Sequence, residues 1–218
     1  MINGLIKALL VSTLLLVSCR VNGQSITFNK SKSIEQQQRL LVDSIITDHF
    51  NIRLTKSFTQ TDKLKLKEVI SFLDAVILSD EFKKKVINTD FRDSRRYYMR
   101  NYKGEKIQIQ KKVSSNQIFE QIVNGDDALG KVRADCILDI YLELKSLDIR
   151  GGAKKGMIST NLENFRQESL TQIAGNLMHE YMHVLGYVHK VSRRKVRDRL
   201  DKKDVPDGVG QIIYNWKE

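Results

Sequence analysis

Residues 179–189 read HEYMHVLGYVH, and three of the four histidines in the 218-residue chain fall within them. A neutral imidazole offers a lone pair to a metal ion, and a carboxylate can take a proton from a water held nearby. Whether these side chains can meet depends on the helix that carries them. Ser169 and Gln172 have the spacing of a capping box, so the sequence predicts a helix from about Leu170 to Leu185. At about 100° per residue, Leu170, Ile173, Ala174, Leu177, Tyr181, Val184 and Leu185 form one apolar stripe. His179 lies opposite the centre of that stripe, and His183 stands about 40° from His179. Both are expected to point away from the core, where two histidines four apart can reach one ion.

His189 needs a further device. On a continuing helix it would stand about 240° around from His183. Gly186 removes the difficulty, because glycine takes the left-handed conformation that ends a helix. The chain can then turn back and bring His189 under the same ion. The glycine and the spacing are required together.

His179-Glu180-x-x-His183-x-x-Gly186-x-x-His189 resembles the metzincin signature of zinc metalloproteases at every fixed position, over eleven residues. The resemblance implies one zinc ion on His179, His183 and His189, with a fourth position left for water. It implies Glu180 as general base and a peptide or protein substrate whose peptide bond is hydrolysed. It also implies a zincin-like fold, α+β or α/β: a twisted mixed sheet packed on a backing helix and an active-site helix, with a small C-terminal part. In that family an edge strand above the cleft pairs with extended substrate. Met157, Ile158 and Ser159, in the segment GMIST, are the candidates for that strand, and Tyr214 is the candidate for a second donor to the oxyanion.

One feature departs from the family. No methionine follows Met182, so the methionine turn beneath the zinc is absent in its usual form. The turn-rich segment Val205-Pro206-Asp207-Gly208-Val209-Gly210 is expected to form the floor of the site instead. It also supplies an alternative reading, a non-catalytic zinc protein whose fourth position is filled by Asp207.

Elsewhere the patterns predict the elements that position the site. Phe50 to Leu54 alternates like a strand, and Asp62 to Leu78 has the spacing of an amphipathic helix. Ser79 can cap a short helix after it. Ile107 and Ile109 alternate with glutamines as in a strand, and Asn116 to Val123 reads as a helix stopped at Asn124-Gly125. Cys136 to Leu144 is a strand-like apolar run, and Cys136 reads as a small buried residue.

The N-terminus carries a different signal. Lys7 precedes an apolar run from Ala8 to Val17, too short to span a bilayer as a helix and of signal-peptide length. It ends in Leu16-Val17-Ser18-Cys19, which resembles the lipobox of bacterial lipoproteins. That implies a signal peptide over 1–18, a lipid on Cys19 as membrane anchor, and a place in the cell envelope on the outer membrane or its periplasmic face. Polar residues 19–38 read as the lipidated N-terminus and tether, and 39–218 as a single catalytic domain, expected to be monomeric.

The formal charge is +11. Arg95 to Lys103 mixes bases with tyrosines, and residues 191–204 are a basic run. Both read as solvated surface, and no specific nucleic acid is expected. A lipid-tethered module that binds polyanions through such loops is the alternative from another class.

Overall fold

The computed structural model of the chain describes residues 41–47, 49–99, 106–126, 138–154, 157–189 and 204–217. Residues 1–40, where a signal peptide, a lipidated Cys19 and a tether are expected, lie outside the described residues, as do Cys136 and the basic run up to residue 203. No helix among the described residues is long and apolar enough to cross a membrane.

The architecture is mixed α+β. Five strands form one mixed sheet: β1 (Leu41–Ile46), β2 (Phe50–Thr55), β5 (Leu138–Lys145), β6 (Gly151–Lys154) and β7 (Met157–Asn161), in the order β1-β2-β5-β7-β6. The β2–β5 and β5–β7 pairs are parallel, while β1 and β6 run antiparallel to their neighbours at the two edges. Strands β3 (Arg96–Met99) and β4 (Lys106–Gln110) make a separate two-stranded sheet. In β2 the alternation predicted from sequence is observed, with Phe50, Ile52 and Leu54 fully buried.

Helix α1 (Gln60–Ile77) opens with a capping box between Thr59 and Asp62 and buries Leu66, Val69, Ile70, Leu73, Val76 and Ile77. Asp62 is therefore inside the first turn, two residues later than the helix start. Its carboxylate also takes two hydrogen bonds from Arg166, Nε at 3.0 Å and an η-nitrogen at 2.9 Å. Helix α2 (Asp80–Ile87) is capped by the Ser79 side chain, as its sequence predicts. Helix α3 (Ser115–Asn124) ends at Gly125 with φ 61°, the stop read from Asn124-Gly125. After β7 come α4 (Leu162–Gln167), α5 (Leu170–Val184) and α6 (Val205–Tyr214).

Three expectations are corrected. First, GMIST is not the edge strand. Met157, Ile158 and Ser159 lie on β7, which is paired on both sides by β5 and β6, so its backbone has no free edge. The edge strand on that side is β6, which opens with Gly151-Gly152. Second, Val205 to Gly210 is not a turn but the start of a helix. Pro206 sits in its first turn, where the missing N–H costs nothing. Third, the basic segment at Arg95 is not an exposed loop. Arg96 is buried, and Arg95 hydrogen-bonds the Asp93 carboxylate.

The glycines of α6 serve close packing. A Cβ on Gly210 would lie 3.0 Å from the Gly175 carbonyl oxygen and 3.0 Å from His179 Cβ. A Cβ on Gly175 would lie 2.9 Å from the Gly210 carbonyl oxygen. The two helices thus cross backbone against backbone. Helix α5 is buried well beyond its apolar stripe, with Gly175, Asn176, Met178, Glu180 and Met182 buried too, α6 lying against Gly175 and β6 against Asn176 and Glu180. Helix α6 lies against the His179 side of this face, and His179 and His183 are half-buried there. The far end of α6 is anchored by Trp216, whose ring lies 6.5 Å from that of Phe82 and under the Lys85 ammonium at 4.2 Å.

Two outcomes follow. Alanine at Gly210 gains up to about 1 kcal/mol in helix propensity but meets rigid backbone, and overpacking costs about 1–3 kcal/mol. Urea unfolding of Gly210→Ala should therefore show a net loss of stability. The Arg166 guanidinium beside Asp62 holds its carboxyl down at about 2, against an ordinary 3.8. A depressed carboxyl stabilises the fold above its unfolded pKa and loses that effect as pH falls through the folded one. Thermal melts of Asp62→Asn should lie below the parent at neutral pH, and the gap should close between pH 3.8 and about 2.

Candidate metal centre

Helix α5 starts at the capping box of Ser169 and Gln172, as its sequence predicts. It ends at Leu185, and Gly186 takes φ 96°. The Gly186 N–H then reaches the His183 carbonyl at 3.0 Å and the Tyr187 N–H the Met182 carbonyl at 3.0 Å. These two bonds make a Schellman closure, and they turn the chain back.

Strand β3 clamps the turn. Tyr97 N–H donates to the Gly186 carbonyl at 2.9 Å, and Arg96 Nε donates to the Leu185 carbonyl at 2.8 Å. Arg96 also reaches the Asp126 carbonyl oxygen at 2.7 Å and Gln110 Oε1 at 2.8 Å, so the buried guanidinium is well satisfied. Tyr187 is fully buried, and its hydroxyl donates to Gln121 Oε1.

The three histidines of the motif are brought together. Ring centroids are 5.1 Å apart for His179–His183, 5.1 Å for His179–His189 and 4.8 Å for His183–His189. One nitrogen from each lies within 4.8 Å of the other two. The fourth histidine, His49, is elsewhere and pairs with Asp74 at 2.7 Å.

The ring orientations are set from outside. His183 Nδ1 lies 2.8 Å from the Tyr187 carbonyl oxygen. A carbonyl only accepts, so this nitrogen carries the proton and Nε2 keeps its lone pair. His179 hydrogen-bonds the backbone of Pro206, which can offer only its carbonyl, and its Nδ1 lies 3.4 Å from Asp207 Oδ1. His189 Nδ1 lies 3.5 Å from Asp207 Oδ2 and 3.7 Å from Asp204 Oδ2. All three Nδ1 atoms face acceptors, which suits a trio of Nε2 ligands.

Electrostatics agree with that role for two of the three. Burial, and then the neighbouring His183, push His179 down to about 4, and burial also lowers His183. Both are neutral at neutral pH, as a ligand must be. The Asp207 carboxylate raises His189 instead. Glu180 is 5% exposed, and burial lifts it to about 7.

A cleft of about 870 Å³ opens over α5 between β6 and α6. Gly151, Asn176, His179, Glu180, His189 and Tyr214 line it. Met157, Ile158 and Ser159 do not line it: Ile158 is fully buried, and the Ser159 hydroxyl turns to Glu143 at 3.1 Å. Tyr214 does line it, but its hydroxyl accepts from Gln172 Nε2 at 3.0 Å, two helical turns before His179.

Other residues of the site escaped the sequence reading. A Cβ on Gly151 would fall 3.0 Å from Asn176 Nδ2 and 3.1 Å from Glu180 Oε1, so the edge strand lies directly against Glu180. Asn176 Nδ2 is buried without a hydrogen-bond partner. Its place four residues before Glu180, on the same helix face, was a visible signal. Asp204 and Arg92 had none, because they meet only across 112 residues of chain.

Alanine at Gly186 must adopt a left-handed backbone, which costs about 1–2 kcal/mol. Gly186→Ala should lower the unfolding midpoint and also weaken metal binding, since His189 depends on that turn. Chelator competition beside a thermal melt would read both effects.

No family model, curated protein or solved structure matches the chain. Its chemistry therefore rests on the geometry of these residues.

Proposed function

We propose that the chain is a zinc-dependent peptidase with a metzincin-like catalytic domain. The observation that carries this reading is the convergence of His179, His183 and His189, with each Nδ1 turned to an acceptor and the buried Glu180 beside them. The order of elements supports it too: a backing helix α1, a mixed sheet with an antiparallel edge strand β6, then the helix α5.

Three imidazoles would hold one zinc ion through Nε2 and leave a fourth position open. A bound zinc ion supplies Lewis acidity, lowering the pKa of water from 15.7 towards about 7 and polarising a carbonyl. Glu180 takes the proton from the attacking water and passes it to the leaving amine. Burial poises it for both steps, since a carboxyl near 7 can hold or release a proton at neutral pH. Strand β6, with no strand beyond it among the described residues, can pair through its backbone with an extended peptide laid along the cleft. Gly151 lets that strand lie close to Glu180. Asn176 Nδ2, rather than Tyr214, is then the available donor near a developing oxyanion.

The competing reading, a zinc site blocked by Asp207, draws on the closeness of that carboxylate. Its oxygens lie nearest the Nδ1 atoms of His179 and His189, which is the side away from an Nε2-bound ion. The same proposal keeps residues 1–18 as signal peptide and Cys19 as the lipid anchor of an envelope protein, on the sequence signals alone.

The deciding experiment measures metal content and peptide-library cleavage together. The parent should carry zinc at one ion per chain and cleave in a chelator-sensitive way. Glu180→Gln should keep the zinc and lose turnover by about 10²-fold or more. His183→Ala should lose both. Substantial cleavage by Glu180→Gln would sink the role given to Glu180, and zinc without cleavage in the parent would favour the blocked site.

A further inference from the structure

The first turn of α6 does more than close the bottom of the site. Asp207, half exposed, turns Oδ1 to His179 Nδ1 at 3.4 Å and Oδ2 to His189 Nδ1 at 3.5 Å. One carboxylate thus faces two histidines that arrive from different segments, one on α5 and one beyond its turn. Asp204 stands behind it. It is the N-cap residue of α6, yet its side chain makes no capping bond. Its Oδ1 instead accepts from Arg92 Nε at 3.2 Å and from an η-nitrogen at 2.9 Å, and its Oδ2 faces His189 Nδ1 at 3.7 Å. Aspartate is among the best N-caps, so its diversion to a guanidinium and an imidazole calls for a reason.

The crossing at Gly175 and Gly210 supplies the rigidity. It presses the start of α6 against α5, with His179 Cβ 3.0 Å from where a Gly210 side chain would begin. Asp207 is therefore held in place by the helix that carries it.

We propose that Asp207, backed by the Arg92–Asp204 pair, is a positioning residue that fixes the tautomer and orientation of His189 for metal binding, with its second oxygen placed beside His179. The inference rests on the zinc reading above. A carboxylate that accepts from Nδ1 leaves Nε2 as the ligand atom and makes it a stronger donor. The other two have backbone partners, the Tyr187 carbonyl at 2.8 Å from His183 Nδ1 and the Pro206 carbonyl for His179. Asp207 acts through His189 and does not bind the ion itself.

The test uses the purified chain, zinc affinity by chelator competition, cobalt(II) absorption and NMR of the histidine ring protons. Asp207→Asn keeps the volume of the side chain, and Asp207→Ala repeats the test with a smaller one. The metal-free variants should melt near the parent. Zinc affinity should fall about 10- to 100-fold. The Nδ1 proton signal of His189 should shift most, while that of His183 stays. The cobalt bands should keep their wavelengths, because the ligand set is unchanged. Affinity within about twofold of the parent would overturn the proposal and leave the zinc reading standing. Moved cobalt bands would overturn it in another way, by making Asp207 a ligand. A parent that binds no zinc would bring down both.

Discussion

Helix α6 can lie on helix α5 only because Gly175 and Gly210 face each other without side chains. A Cβ on either would come within 3.0 Å of the other's carbonyl oxygen. That contact brings the first turn of α6, with Asp204, Pro206 and Asp207, against His179 and His189. Beside it β6 lies against Asn176 and Glu180, so both are buried although neither lies on the apolar stripe. Burial in turn lifts Glu180 to about 7 and lowers His179 to about 4. The glycine crossing thus shapes the geometry around His179, and β6 beside it sets the burial of Glu180.

The second constraint is the turn after α5. Gly186 at φ 96° reverses the chain, and β3 holds the reversed segment through Tyr97 and Arg96. Arg96 is a buried charge, which costs much unless its donors are used. It binds the Leu185 carbonyl, Gln110 and Asp126, so it ties the turn to β4 and to the end of α3. The two-stranded sheet β3–β4, separate from the main sheet, acts as the strap that sets where His189 arrives.

Chain segments that looked alike in sequence ended in different roles. Gly151-Gly152 and Gly208-Val209-Gly210 are both glycine-rich. The first pair begins an edge strand that lies against Glu180, and the second belongs to a helix. Glycine marks a turn, a positive φ or a close approach, and only the neighbour across the gap tells which. The same limit applied to GMIST. Its strand was legible, but whether a strand is at an edge depends on what pairs with it, and β6 took that place.

The sequence by itself determined the helix that carries His179, Glu180 and His183, its capping box, and the glycine that ends it. It likewise determined β2, the stripe of α1, the Ser79 cap and the stop at Gly125. These are short-range features, in which the interacting groups lie within about one helical turn or one strand of each other. Only the tertiary structure decided which strand borders the cleft, what lies against the histidine face, and how Arg92 reaches Asp204 across 112 residues. Such pairings have no local period to announce them. They follow from how whole elements pack, and that packing is settled by shape and burial rather than by spacing along the chain.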